Sequence, residues 1–299
     1  MVRYHALNEK DKFGAVPRLI MREEQTMNVG VIVRLNENVE EEIKKVHDFG
    51  MKTCQLNCWD MTMYTKELAE RAVAACEKYD IKVSGVWAGY SGLKVWDNVS
   101  GPLTLGLLPE TYRAQRIEDL KRGSDFAEMI GCDKIITHVG FIPENPNEVS
   151  YNGMIVALRE VAQYAAKKGQ YFLFETGQET PVTMLRAIED IGSDNVGVNL
   201  DPANLILYGK GNPVDALYVI GKYVKDVHGK DGKYPTNGRE LGEETPLGQG
   251  HVDYPRFIKG LKALGYDGPI TIEREISGEK QIEDIKMAKE ILERLIAEE

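Results

Sequence analysis

Polar residues follow short apolar runs at regular intervals through the second half of the chain, and their types suit metal binding. They are His138, Glu175, Asp201, His228 and Glu273. The last four would supply three carboxylates and one imidazole, which is a hard and mostly oxygen ligand set. Such a set predicts a divalent metal, with Mn²⁺ favoured and Mg²⁺ or Co²⁺ as alternatives, rather than a thiolate-rich zinc site.

The elements that must position these residues alternate as strand and helix. Apolar runs predict eight strands, and most are followed by apolar residues at helical spacing. The predicted strands are 29–33, 53–57, 82–87, 134–138, 171–174, 196–200, 224–227 and 269–273. Eight units without a break predict one (β/α)₈ TIM barrel over residues 29–299, preceded by an N-terminal extension over residues 1–28. A doubly wound sheet is weaker, because no predicted strand is followed by Gly-x-Gly-x-x-Gly.

Glycine positions support these boundaries. Gly50, Gly131, Gly169 and Gly265 each follow a predicted helix and precede a predicted strand. Helices commonly end next to a residue with positive φ, which glycine adopts without a steric clash. We therefore expect positive φ at all four positions.

In a (β/α)₈ barrel, the carboxyl ends of the strands surround the active-site mouth. The fifth and eighth strands lie three steps apart in a ring of eight, so Glu175 and Glu273 would face each other with Asp201 and His228 between them. Each residue alone has a plainer explanation: a strand-end glutamate can cap a helix, Asp201 before Pro202 can form a turn, and a lone histidine is more often part of a core. The same phase in consecutive units favours a metal site for the set.

The sequence resembles the xylose isomerase-like barrel superfamily, in the branch of sugar phosphate isomerases/epimerases, ketose 3-epimerases and inosose dehydratases. The matching motifs, spread between about residue 29 and the C-terminus, are Phe174-Glu175-Thr176-Gly177-Gln178-Glu179, Asn199-Leu200-Asp201-Pro202-Ala203-Asn204, His228-Gly229-Lys230-Asp231, Leu247-Gly248-Gln249-Gly250 with Val252-Asp253, and Gly265-Tyr266-Asp267-Gly268-Pro269 with Thr271-Ile272-Glu273. The resemblance implies that Asp201, His228 and both glutamates bind the metal, and that Glu175 and Glu273 are the catalytic acid/base pair. It also implies a sugar or cyclitol substrate, whose C–H next to a ketone is deprotonated to an enediolate.

The enediolate can react further in two ways, and the sequence does not decide between them. Reprotonation gives an isomerase or epimerase, which is the leading hypothesis. Loss of a β-leaving group gives a dehydratase or lyase, as in inosose dehydratases or enzymes that cleave 3-keto-glycosides. Three departures count against the narrower 3-epimerase assignment: Asn204 where many members have His, Tyr234 where they have Arg, and Pro181 where they have Glu.

Further residues are expected around the metal. Contact with the substrate is predicted for His138, Lys230, His251 and Asn204, and a buried structural role is the alternative for His138. Lys230 and Asp231 are expected to line the mouth or to orient His228. The glycine-rich run 238–250 could form a mobile lid or cradle a phosphate. Four aromatic residues near the ends of the second and third strands could stack on a sugar or pack the core: Trp59, Trp87, Tyr90 and Trp96.

The bulk composition excludes several other classes. The chain has 299 residues, of which 42% are hydrophobic and 28% charged, as in ordinary globular proteins. A net charge of −10 disfavours nucleic acid or an anionic membrane as a partner. Four cysteines without a C-x-x-C pair, and no signal-peptide or membrane-spanning run, predict a cytoplasmic protein. A homo-oligomer stays open, because residues 1–28 could be an oligomer arm or a flap over the barrel.

Two other functions within this fold are disfavoured. Apurinic endonuclease IV has the same fold, but it needs a trinuclear zinc cluster and many histidines, whereas this chain has five. A non-catalytic sugar-binding barrel would be expected to lose one of the two glutamates, and both are present. The predicted partner is therefore a small-molecule sugar that is turned over.

Overall fold

The computed structural model describes residues 27–298. Its eight barrel strands are β1 (Asn28–Arg34), β2 (Thr53–Cys58), β3 (Lys82–Ala88), β4 (Lys134–Thr137), β5 (Tyr171–Glu175), β6 (Val196–Leu200), β7 (Val224–Gly229) and β8 (Pro269–Ile272). The α-helices are α1 (Val39–Asp48), α2 (Lys66–Tyr79), α3 (Gly101–Thr104), α4 (Glu110–Met129), α5 (Val149–Ala166), α6 (Pro181–Ile191), α7 (Pro202–Leu207), α8 (Pro213–Ile220), α9 (Tyr254–Ala263) and α10 (Glu279–Ala297). Nearly all of the predicted N-terminal extension lies outside the described residues.

The strands form one closed parallel barrel in the order β1-β8-β7-β6-β5-β4-β3-β2. Every neighbouring pair is parallel, including β1 with β8, which closes the ring. This closure confirms the predicted (β/α)₈ fold and rules out the open doubly wound sheet. Among residues 27–298, no helix is both long and apolar enough to cross a lipid bilayer.

Local sequence signals set the ends of the helices. Gly50, Gly131, Gly169 and Gly265 have φ values of 68°, 69°, 70° and 70°, so the predicted left-handed turns are confirmed. At the other end, Thr180 Oγ1 accepts a hydrogen bond from the backbone N–H of Thr183 and caps α6. These caps satisfy backbone groups that a helix end leaves unpaired.

The core has two parts. A large apolar cluster lies between the outer faces of the strands and the helices. A smaller one, formed by Trp87, Ile136 and Leu173, is a separate cluster within the barrel. The barrel also holds fully buried polar side chains, which include Gln55 and Asp226. A polar interior at this depth is tolerated only when its groups are hydrogen bonded to one another.

Two loops meet over the mouth of the barrel. The loop after β3 and the loop after β7 start from strands that are four places apart in the ring of eight, and so lie on opposite sides of it. Asn98 Nδ2 in the first donates to the carbonyl oxygen of Glu240 in the second, at 3.3 Å. A short antiparallel ribbon, Asp231–Gly232 with Glu244–Thr245, anchors the second loop at its base.

Candidate metal centre

Four of the five predicted strand-end residues converge on one point. Glu175 ends β5, Asp201 follows β6, His228 lies near the end of β7, and Glu273 follows β8. Each offers one ligand atom, and these atoms all lie within 4.8 Å of one another. Nδ1 of His228 lies 3.4 Å from Glu175 Oε1, 3.3 Å from Asp201 Oδ2 and 3.4 Å from Glu273 Oε2.

These separations fit a divalent cation. With metal–ligand bonds of about 2.1 Å, adjacent ligands of an octahedral ion lie about 3.0 Å apart and opposite ligands about 4.2 Å apart. The distances around His228 fall between these two values. Three carboxylates and one imidazole are also ligands that such cations accept. The site therefore fits a metal in both its spacing and its donor atoms.

Asp201 has two roles at once, one for each carboxylate oxygen. Oδ1 accepts a hydrogen bond of 2.8 Å from the backbone N–H of Asn204 and caps α7. Oδ2 faces His228 Nδ1. The plainer explanation of this residue as a turn former and its assignment as a ligand are therefore compatible, and the cap holds the carboxylate in place.

Gln55 orients His228 from across the barrel. His228 Nε2 lies 2.8 Å from Gln55 Oε1, and Gln55 Nε2 donates to Asp226 Oδ1 at 3.0 Å. Because the amide NH₂ of Gln55 faces this carboxylate, its oxygen must face the imidazole, and Nε2 of His228 carries a proton. Asn199 Nδ2, which is a donor and cannot accept from this proton, lies slightly farther from Nε2, at 3.0 Å, than Gln55 Oε1 does. Nδ1 is thereby left to face the carboxylates, which is the tautomer that a metal needs.

The sequence interpretation did not identify Gln55. Lys230 and Asp231 were expected to line the mouth or to orient His228, and Asp231 does not orient His228, because its oxygens bind backbone N–H groups of its own loop. A polar residue in the middle of the apolar strand β2 was the available signal. Within a barrel, such a residue must find a buried partner.

Two side chains hold Glu175. The indole N–H of Trp87 donates to Oε2, and Asn204 Nδ2 donates to Oε1 at 3.0 Å. Asn204 therefore contacts a candidate ligand, and its contact with a substrate stays a prediction. His138 Nε2 lies 3.4 Å from the same Oε1, while its Nδ1 is buried without a hydrogen-bond partner among the described residues.

Glu273 is held less completely. Lys230 Nζ lies 2.9 Å from Glu273 Oε2 and 2.9 Å from Glu275 Oε1, and the Lys230 side chain is only 2% exposed. Among residues 27–298, the side chain of Glu273 is bonded through Oε2 alone. Its other oxygen is available for chemistry. Contact between Lys230 and a substrate stays a prediction.

Charges at the centre are strongly coupled. Burial alone would lower the pKa of His228, but Glu175, Asp201 and Glu273 outweigh it and raise that pKa well above its ordinary value. Burial would likewise raise the pKa of Glu175, but His138 and His228 hold it below the usual range. Without metal, a proton on His228 therefore compensates part of the negative charge.

The remaining two carboxylates differ from each other. Burial would raise the pKa of Glu273, yet Lys230 and His228 outweigh it and lower the pKa well below the usual range. For Asp201 burial prevails over the same two cations, and the pKa is raised. Glu273 is therefore a carboxylate at neutral pH, as a general base must be.

His251 lines a separate groove. His251 Nδ1 accepts from the backbone N–H of Tyr234 at 3.2 Å, and the residue lines a groove of about 390 Å³ with Lys210 and Asn212. None of the four candidate ligands lines that groove. Contact between His251 and a substrate stays a prediction.

Asp231 fixes the glycine-rich loop from within. Its Oδ2 accepts from the backbone N–H groups of Gly248 and Gly250, both at 2.9 Å, and its Oδ1 accepts from Val252 N at 3.1 Å. A phosphate cradle would need such N–H groups to be free. The carboxylate of Asp231 already occupies those of Gly248 and Gly250, which leaves fewer for a phosphate, and a cradle or a mobile lid in this run stays a prediction.

Comparisons with known proteins agree with the fold. Residues 43–296 match the family described as xylose isomerase-like TIM barrel. The crystal structure of a xylose isomerase domain protein from Planctomyces limnophilus is 33% identical, with a TM-score of 0.83 and coverage of 90% of this chain and 96% of that chain. An uncharacterised protein of Methanocaldococcus jannaschii is 25% identical over 281 residues, which are 90% of this chain and 88% of that protein. An L-ribulose 3-epimerase of Methylomonas sp. is 25% identical over 169 residues, or 52% of this chain and 54% of the epimerase.

Proposed function

Because the chain belongs to the xylose isomerase-like TIM barrel family, we propose that it is a divalent-metal-dependent isomerase or epimerase of a ketose or cyclitol. The observation that carries the proposal is the placement of two glutamates, Glu175 and Glu273, each 3.4 Å from His228 Nδ1. Two carboxylates around one cation site can address both faces of a bound carbon. The similarity to an L-ribulose 3-epimerase over about half of the chain supports the same reaction class.

The metal would be held by the four converging residues, with Mn²⁺ favoured. When bound, such a cation stabilises negative charge that develops on the carbonyl oxygen of the substrate. The His228 Nδ1 lone pair and the three carboxylates would provide its ligands, and Gln55 would keep the imidazole in the required tautomer. Burial of the site excludes water, which strengthens these charge interactions.

Proton transfer falls to the two glutamates. A C–H next to a ketone is a weak acid, and its removal needs a base that is ionised and close. Glu273 meets both conditions, because Lys230 and His228 lower its pKa and one of its oxygens makes no hydrogen bond within residues 27–298. Glu175, held by Trp87 and Asn204, is ionised at rest, because His138 and His228 keep its pKa below the usual range; it would take up a proton from solvent and then deliver it to the opposite face of the enediolate. Delivery from that face inverts the carbon.

Elimination is the second candidate, and His138 favours it. Loss of a β-leaving group needs a proton donor for the departing oxygen, in addition to a base for the C–H. His138 lies beside Glu175, and its Nδ1 is buried without a partner among residues 27–298. A third proton-transfer group at this point would serve a dehydratase or a lyase that acts on a keto-sugar.

The test is incubation of the Mn²⁺-loaded protein in D₂O with a panel of ketoses, inososes and 3-keto-glycosides. Solvent deuterium in an epimerised product supports the isomerase, whereas loss of water or aglycone without epimerisation supports the elimination. Glu273→Gln should lower either rate by about 10²–10⁴-fold, the usual loss for a general base. The exposed Glu160→Gln is the matched control. Absence of both reactions across the panel would reject the proposal.

A further inference from the structure

Aromatic side chains form a wall of two layers on one side of the metal centre. The inner layer is Trp87 and His138, with ring centroids 5.6 Å apart. The outer layer is Trp59 and Trp96, with ring centroids 5.9 Å apart. Trp59 lies 4.9 Å from Trp87, and Trp96 lies 5.3 Å from His138, so the two layers are continuous.

The inner layer faces the reacting group. Trp87 donates its indole N–H to Glu175, and His138 Nε2 lies 3.4 Å from the same carboxylate. His138 is 7% exposed, and its Nδ1 has no hydrogen-bond partner within residues 27–298. A buried nitrogen of this kind is costly unless a ligand or a water satisfies it. The inner layer therefore suits a sugar ring that carries hydroxyl groups.

The outer layer lies one ring farther from the metal centre and is partly open. Trp59 is 38% exposed and Trp96 is 39% exposed. Leu93, Val99 and Leu103, in the same segment as Trp96, are 57%, 58% and 74% exposed. Exposed apolar side chains in such number within one short segment commonly mark a binding surface.

The polar side chains of this segment are already engaged. Lys94 Nζ donates to the carbonyl oxygens of Tyr90 and Gly92, both at 3.1 Å. Asp97 Oδ1 accepts from backbone N–H groups that follow it, and Asn98 Nδ2 donates to Glu240 across the mouth. Lys94 Nζ also lies over the Trp59 ring, 5.3 Å from its centroid, so the open apolar face of the outer layer is that of Trp96, with Asp97 and Asn98 committed elsewhere. That combination favours an aromatic occupant over a second hydroxylated sugar.

We propose that Trp59 and Trp96 bind an aryl aglycone, so that the substrate is an aryl keto-glycoside whose sugar ring reacts at the metal centre. A single sugar held by the metal would occupy the inner layer and leave the outer layer unused. This assignment rests on the proposed keto-sugar chemistry, which it narrows to a class of substrate. It applies to epimerisation and to elimination alike.

The test compares binding and turnover for aryl and small aglycones. Isothermal titration of the Mn²⁺-loaded protein with 4-nitrophenyl, methyl and glucosyl glucosides measures affinity without any reaction. Deuterium exchange from D₂O into the 3-keto forms of the same compounds measures the chemistry. We expect the 4-nitrophenyl compound to bind on the order of tenfold more tightly than the methyl compound, as aromatic contacts of this kind provide. Trp96→Ala should bring this ratio toward one, and Trp59→Ala should do the same if the first variant folds poorly.

Tyr218→Ala is the matched control, because Tyr218 is an 87% exposed aromatic residue on the outer helix α8. It should keep the wild-type ratio. A wild-type ratio near one, an unchanged ratio in well-folded Trp96→Ala and Trp59→Ala proteins, or tighter binding of the disaccharide than of the aryl compound would overturn the assignment. If the protein binds the aryl compound more tightly than the methyl compound but catalyses neither deuterium exchange nor elimination, the aglycone site is supported and the proposed function is rejected.

Discussion

Replacing Gln55 with methionine should weaken metal binding without touching a ligand. The substitution keeps the length of the side chain and removes the oxygen that accepts from His228 Nε2 at 2.8 Å. Nδ1 is then no longer fixed toward the carboxylates, since the imidazole can turn or change tautomer. Loss of such supporting partners typically costs about 10–100-fold in metal affinity. At 1.4 kcal/mol per factor of ten, this is about 1.4–2.8 kcal/mol of binding free energy.

The same substitution should also lower the unfolding free energy of the metal-free protein. Asp226 keeps two partners, Lys134 Nζ at 3.3 Å and the backbone N–H of Val227 at 3.0 Å. The Nε2–H of His228 loses its acceptor in a fully buried position. One buried donor left unsatisfied costs about 1–3 kcal/mol. Urea unfolding measures this term, and calorimetric titration with Mn²⁺ measures the affinity.

Gln170→Met is the control that separates the loss of metal affinity from the loss of unfolding free energy. Gln170 is 2% exposed and equally engaged, because its Oε1 accepts from Ser124 Oγ at 2.6 Å and its Nε2 donates to Ser124 O at 3.0 Å. It lies just before β5, at the end of the barrel away from the mouth. It should lose stability and keep wild-type affinity for Mn²⁺. Equal affinity losses in both variants, or an unchanged affinity in Gln55→Met, would refute the role of Gln55.

Three further perturbations test other parts of the structure. Burial raises the pKa of Glu179 from 4.5 to about 8. Because Glu179 ionises at lower pH in the unfolded chain than in the folded protein, the unfolding free energy should fall as the pH rises from 4.5 to about 8. Urea titrations at several pH values should show a weaker pH dependence for Glu179→Gln and an unchanged one for the exposed control Glu189→Gln. Asp231→Asn removes the charge that holds Gly248 and Gly250, so the glycine-rich loop should be cleaved faster by a protease than in wild type or in an Asp253→Asn control. A chelator should abolish turnover and lower the melting temperature, and added Mn²⁺ should restore both; full turnover in demonstrably metal-free protein would contradict the metal-dependent mechanism.

The sequence was sufficient for the fold and for the convergence of the strand-end residues. Barrel geometry brings the carboxyl ends of all strands to one face, so the position of Glu175 and Glu273 at strand ends was enough to predict that they meet. Helix ends were equally local, because positive φ at Gly50 or Gly265 follows from the residue type and its neighbours. Both kinds of inference depend on short stretches of chain.

The contacts that the sequence did not predict are made by side chains that meet across the barrel or by loops whose paths no local pattern determines. Gln55 and His228 are 173 positions apart, and no spacing rule links two inward-facing residues of β2 and β7. The carboxylate of Asp231, expected to line the mouth or to orient His228, binds a loop that returns to it from 17 to 21 residues further along the chain. His251 lies on a groove that none of the four candidate ligands lines, and its contact with a substrate stays a prediction.

The hydrogen bond between Asn98 and Glu240 sets a limit on how tightly the mouth is shut. The candidate ligands are almost fully buried, and we expect the two loops to part when a sugar enters. A single exposed hydrogen bond contributes about 0.5–1.5 kcal/mol, so by itself it would leave roughly a tenth or more of the molecules open at any moment. Loop motions of this kind occur within microseconds to milliseconds. This weak hydrogen bond would keep water away from the enediolate and still let substrate and product pass quickly. If loop opening limits turnover, the rate should fall as the viscosity of the solvent rises.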